Sequence, residues 1–248
     1  MLQLIETLCR LPGVSSFEEP VRDFIRTRVA PYADQIRVDA LGNLIVWKRG
    51  KKSAGNKLLL CAHMDEVGLM VRRITDEGYL KVTAVGGIDR RVLIGKPVQV
   101  GPRGVPGVIG LKAYHLVSAE EEKKVPKLDD LYVDIGAGSR AEAQELVAVG
   151  DSVTFVSDCV PFGSGMLKAK ALDDRIGCAV MMKLLEEELP LDVTFVFSVQ
   201  EEVGSRGALG AAFSTQPEMA LILETTTAAD LPGVSGGQKV CIPGKGPV

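Results

Sequence analysis

Apolar residues recur every third or fourth position at the start of the chain, and the rhythm then shortens. Leu2, Ile5 and Leu8 share one helical face, and Pro12-Gly13 breaks that run. A second helix is expected over 17–29. Ser15 or Ser16, followed three residues on by Glu18 or Glu19, has the pattern of a capping box at its start. Strand-like stretches follow at 35–38, 43–48 and 57–61, with turns at Gly42-Asn43 and Gly55-Asn56. The stretch 57–61 is nearly all apolar, as a strand covered on both faces requires.

From Gly68 to about Phe162 the texture differs. Short strands are expected at 69–74, 79–85, 97–100, 107–111, 131–135 and 152–155, with one helix at 139–147. The charged stretch 117–130 reads as an exposed loop. Beyond Lys168 the α/β alternation returns. A long helix is expected over 172–189 with Ile176, Val180, Leu184 and Leu185 as its apolar positions. A β-prone run at 192–199, a helix at 204–213 and a buried strand at 219–223 complete the pattern. The order predicts an α/β layer domain, residues 1–67 and 163–248, interrupted by a β-rich unit at 68–162.

Composition narrows the classes. The 248 residues carry 29 Lys+Arg against 32 Asp+Glu, a net charge of -3, with no basic stripe. Nucleic acid is therefore not an expected partner. No apolar run reaches the ~18 residues of a membrane span. Five Cys without a CxxC spacing read as free thiols, mostly buried. The N-terminus lacks the basic segment of a signal peptide, and the expected location is the cytoplasm.

Candidate chemistry sits where apolar runs end. The run 58–61 leads into Ala62-His63-Met64-Asp65, the run 193–199 into Gln200-Glu201-Glu202, and the run 221–223 into Glu224. Asp173-Asp174 opens the long helix. Ligands of open α/β sheets bind beyond the carboxyl ends of the strands. Four segments bringing His, Asp and Glu to one such edge form the pattern of a metal site. Imidazole and carboxylate without thiolate suit Zn²⁺, Co²⁺ or Mn²⁺. Each group also has a structural reading alone: His63 as a core histidine, Asp173-Asp174 as helix caps, Glu201-Glu202 as an exposed turn. The His-x-Asp spacing adds a carboxylate able to hold the far ring nitrogen of His63. Of the adjacent pair Glu201 and Glu202, one side chain can bind metal while the other faces the water that is activated.

The strings LLLCAHMDEVGLMV (58–71), KALDDRIGCA (170–179) and VFSVQEEVGSRGA (196–208) resemble the M42 family of dinuclear-metal aminopeptidases, across essentially the whole chain. The resemblance implies a phosphorylase/hydrolase-like three-layer α/β/α catalytic domain with an inserted, barrel-like β-rich dimerisation domain. It implies two divalent ions per subunit (Zn, Co or Mn) and short peptides as substrates. His63 would bind one ion, with Asp65 orienting it. Asp173 would bridge both ions, and its peptide bond to Asp174 would be cis. Glu201 would be the general base and Glu202 a ligand of the second ion. Glu224 would complete the first ion, at a position where the family usually has Asp. A homo-oligomer is implied, with a dimer as building block and a dodecamer as the larger form.

The resemblance also implies further residues beyond position 248, including a last His ligand. Only His63 and His115 are present here, and His115 reads as a surface or interface residue. A second reading follows: a catalytically impaired chain that keeps fold and assembly. A glycosidase is the third. It fits poorly, because 5% aromatic residues are few for stacking sugars and His-x-Asp has no role in that chemistry.

Overall fold

The computed structural model describes residues 1–52, 57–238, 240–242, 244 and 246–247. The expected turn at Gly55-Asn56 lies outside them. Two β-structures organise the chain. The first is a five-stranded sheet built from β1 (Gln35–Val38), β2 (Leu44–Lys48), β3 (Leu58–His63), β12 (Val193–Ser198) and β13 (Met219–Ile222). Its order is β1-β2-β12-β3-β13. β3 runs parallel to both β12 and β13, while β1 and β2 form an antiparallel margin.

Helices cover both faces. Helices α1 (Leu2–Arg10), α2 (Glu19–Val29) and α4 (Leu172–Glu186) pack on one side through Leu8, Ile25, Cys178, Met181 and Leu185. Helix α5 (Arg206–Thr215) packs on the other through Ala211, against Ile45, Leu59, Cys61 and Val196. The three layers arise because β3 and β12 are apolar on both pleated faces, so each face must be covered.

The second structure is a closed barrel of β4 (Gly68–Ile74), β5 (Leu80–Val85), β6 (Pro97–Val100), β7 (Val105–Gly110), β8 (Tyr132–Asp134) and β9 (Ser152–Phe155), in the order β4-β5-β8-β7-β6-β9. It has its own core of Leu69, Val82, Val100, Ile109, Leu131 and Val153, closed at one side by α3 (Arg140–Leu146) through Ala143. Closure leaves no free edge strand. A hairpin of β10 (Val160–Phe162) and β11 (Met166–Lys168) leads back to α4.

Four expectations need correction. The capping box at Ser15 or Ser16 does not form. Helix α2 starts at Glu19, and the Ser15 hydroxyl donates instead to Asp65, a buried carboxylate that needs the donor more than a solvated helix end does. The long helix stops at Glu186, with Glu187 already extended. Its buried stripe is Cys178, Met181, Met182 and Leu185, while Val180 is exposed; the helix is apolar on two sides, and periodicity alone does not choose between them. Finally, β13 is exposed at every residue. It lies at the sheet edge, paired only to β3, and among the described residues nothing covers its faces.

Candidate metal centre

Strand register assembles the centre. Ser198 lies opposite His63, so β3 and β12 end level with each other. Ile222 lies opposite Cys61, and the Leu223 N–H continues the ladder to the Cys61 carbonyl, which brings Glu224 alongside His63. The N-terminal turn of α4 packs over the end of β3. There the Asp173–Asp174 peptide is cis, and Ala171 before it has φ of +52°. The resulting cluster holds His63, Asp173 and Glu224, whose candidate ligand atoms all lie within 4.8 Å of one another. His63 Nε2 is 2.9 Å from Asp173 Oδ1 and 3.8 Å from Glu224 Oε1. The extra methylene of Glu224, relative to Asp, still lets its carboxylate reach the ring.

The other ring nitrogen faces Asp65. His63 Nδ1 lies 3.1 Å from the Asp65 backbone carbonyl and 3.4 Å from its Oδ1. Both are acceptors, so Nδ1 carries the proton and Nε2 is the nitrogen presented to the cluster. Burial alone lowers the pKa of His63. The hydrogen bond and charge of Asp65, joined by Glu224 and Asp173, outweigh it and raise the value from 6.5 to about 10. The cluster thus draws positive charge onto its one imidazole.

Asp65 does more than face His63. Its carboxylate is fully buried. Oδ2 accepts from the Ser15 hydroxyl at 2.6 Å and from Glu202 N–H at 3.1 Å, and Oδ1 accepts from Glu201 N–H at 2.9 Å. Burial raises its pKa, but His63, Ser15 and the Glu201 N–H together hold it below the ordinary carboxylate value. One side chain therefore fixes the backbone of both glutamates and the edge of the imidazole.

The two glutamates diverge. The Glu201 carboxylate accepts from the Ser205 hydroxyl at 2.8 Å. Glu202 turns toward Asp173, with which it lines a common cleft. Burial first, then the charge of Asp173, push the Glu202 carboxyl up to about 7. Gly86 packs closely against this turn: at φ +83°, a Cβ there would stand 2.9 Å from Val67 Cγ1 and 3.2 Å from the Glu202 Cβ. Asp174 points away from the cluster, accepting from the His63 and Gly177 N–H groups at 3.3 and 3.0 Å. Burial, then the charge of Glu224, raise its pKa to about 7. Burial likewise raises that of Glu224.

Several supporting residues carry no sequence signal of their own. Arg175 is fully buried under the centre. It donates to the carbonyls of Leu8 and Met64, and Glu66 lies 3.6 Å from its Nη2. Glu66 also takes Lys170 at 2.5 Å. Ser15, Glu66 and Gly86 read in sequence as cap, loop and turn. Only the position of Arg175, directly after two candidate acids, hints at its place. His115 lies in an exposed 3₁₀ turn and is not brought to the cluster.

The donor set fits a divalent cation. One imidazole nitrogen and crowded carboxylates, with burial raising the pKa of both Glu202 and Glu224, gain most from a positive ion among them. Asp173 and Glu202 on the cleft side offer oxygens for a neighbouring ion.

Comparisons with known proteins bear on the family and the fold. The profile of the M42 glutamyl aminopeptidase family matches residues 42–248. A relative from Acetivibrio thermocellus, named provisionally as an aminopeptidase, is 43% identical over 94% of this chain and 68% of its own length. The structure of an aminopeptidase from the archaeon Desulfurococcus kamchatkensis superposes with a TM-score of 0.92 at 37% identity, over 99% of this chain and 68% of that one. The TET1 peptidase of Pyrococcus horikoshii, described as assembling into a tetrahedron or a large octahedral shell, matches with a TM-score of 0.82 at 37% identity, over 94% of this chain and 72% of that one.

Proposed function

This chain belongs to the M42 family of aminopeptidases, and from that premise we propose that its peptidase chemistry is metal-dependent and centred on His63. The observation that carries the reading is the convergence of His63, Asp173 and Glu224 within 4.8 Å, beside two glutamates held by one buried Asp65. In this proposal His63, Asp173 and Glu224 hold one divalent ion, and Asp173 with Glu202 holds a second. Zn²⁺, Co²⁺ and Mn²⁺ all suit these ligands. Bound ions supply Lewis-acid polarisation of the scissile carbonyl and a water that is acidic enough to react near neutral pH.

The chain's own groups do the rest. Glu201 accepts the proton of the attacking water and delivers it to the leaving amine. Ser205 keeps the Glu201 carboxylate aimed while it waits. Asp65 holds the Glu201–Glu202 turn and the His63 ring in one geometry, so base and ligands keep their spacing. The substrates are short peptides with a free amino terminus. The chain forms a homo-oligomer in this proposal, which the shells described for the TET1 peptidase support, and the barrel unit, residues 68–162, is its proposed dimerisation domain.

The test pairs metal analysis with hydrolysis of Leu-, Glu- and Lys-anilides. Glu201→Gln should keep its metal and lose activity by a factor on the order of 100 to 10,000. Unchanged rates in that variant sink the mechanism. Stoichiometric metal binding without hydrolysis of any peptide or anilide supports the impaired-chain reading instead.

A further inference from the structure

We propose that the cleft beside the candidate metal centre binds the peptide that departs, and that Lys96 and Lys168 recognise its terminal carboxylate. This rests on the aminopeptidase reading and adds a substrate requirement to it. The cleft has a volume of about 870 Å³ and lies between the barrel and the layered sheet. Asp173 and Glu202 lie in its wall, and so do Lys96 and Lys168.

Size comes first. An exopeptidase that removes one residue needs room for a single side chain on the amino side of the bond. A space of this volume is in the range that holds a whole drug-sized ligand. It therefore suits several residues, which only the carboxyl side of the bond can supply.

Charge decides the rest. Lys170 in the wall is already committed to Glu66 and to the Leu11 carbonyl. Asp173 and Glu202 would be taken up by the proposed cation. What remains is Lys96 and Lys168 against Asp158. Among the described residues, neither lysine ammonium makes a hydrogen bond or an ion pair. Two uncommitted cations on the wall of a peptide-sized cleft complement one anion. A short peptide carries one such group by necessity, its C-terminal carboxylate. Both lysines are exposed, so the interaction is screened by salt and modest in strength.

The experiment compares Leu-Gly-Gly with its C-terminal amide. Turnover gives kcat/KM, and calorimetry in the Glu201→Gln background gives equilibrium binding independent of turnover. Wild-type protein should favour the free acid on the order of fivefold, and the preference should shrink with added salt. In the Lys96→Gln/Lys168→Gln double variant the acid-to-amide ratio should fall to within twofold of one. A wild-type ratio already near one, or a ratio the double variant leaves unchanged, overturns the proposal. If neither peptide nor Leu-anilide is cleaved, the aminopeptidase reading of this chain fails separately, and the calorimetric ratio still decides the cleft.

Discussion

Asp65→Asn is the sharpest perturbation of the centre, because it changes one atom and keeps the shape. The carboxylate has four neighbours to satisfy: the Ser15 hydroxyl, the Glu201 and Glu202 N–H groups and the His63 ring. An amide has one acceptor end and one donor end. The better orientation places the NH₂ at Oδ2, where the Ser15 hydroxyl can turn and accept. The Glu202 N–H, part-buried, then faces another donor and loses its partner, which costs about 1–3 kcal/mol. The Glu201 N–H keeps an acceptor but loses the charge that strengthened the bond, about 1 kcal/mol more. The sum is a loss of about 3 kcal/mol in metal-free protein, read from urea unfolding with the slope unchanged. Because the same carboxylate positions Glu202 through Oδ2 and His63 through Oδ1, metal affinity should fall about 10–100-fold in a chelator competition. A variant within 0.5 kcal/mol of wild type and with unaltered metal affinity would refute the hub role of Asp65.

Arg175→Met should destabilise the protein by about 3–5 kcal/mol, since Glu66 and the carbonyls of Leu8 and Met64 lose a buried cation; a melting temperature equal to wild type contradicts this. Glu18 gives a pH-dependent test. Burial raises its pKa from 4.5 to about 7, against the Ser16 and Gln200 N–H groups that stabilise its charge. The protonated form is thus favoured by folding, so its contribution is fully present below pH 4.5 and is lost as pH rises through 7. The stability of wild type relative to Glu18→Gln should fall on the order of 3 kcal/mol across that window, and a flat difference between pH 4 and 8 argues against it. Removing the Ser205 hydroxyl with Ser205→Ala should lower kcat several-fold while metal content stays constant, because only the aim of Glu201 changes; an equal drop in bound metal would place Ser205 elsewhere in the account.

Much of the centre is legible in the sequence because its members lie at the ends of elements that must pack on one sheet. His63 and Glu224 terminate parallel strands, and a strand apolar on both faces can end only at a sheet edge. Parallel neighbours then bring their ends together. Asp173 is legible for a related reason, as an acid at the opening of a helix that must pack on that sheet. The supporting residues are not legible in the same way. Ser15 has the local signature of a helix cap, and only the fold shows that Asp65 competes for its hydroxyl. Glu66, Lys170 and Arg175 are ordinary charges in sequence; only the fold sets the Leu8 and Leu11 carbonyls at the end of α1 against Arg175 and Lys170, and both cations against Glu66. The exposure of β13 departs from expectation for a different reason. A run such as Met219–Ile222 states that two faces are apolar, whereas what covers them depends on neighbours the run does not specify. Val180 fails similarly, since α4 offers two apolar sides and only packing selects one.

The most direct test of the central claim is the position of a bound ion. Crystals grown with Co²⁺ and measured at its absorption edge should give an anomalous peak within coordination distance of His63 Nε2, Asp173 and Glu224, and His63→Ala should weaken that peak. Strong occupancy elsewhere in the chain with no peak among these three residues would contradict the account.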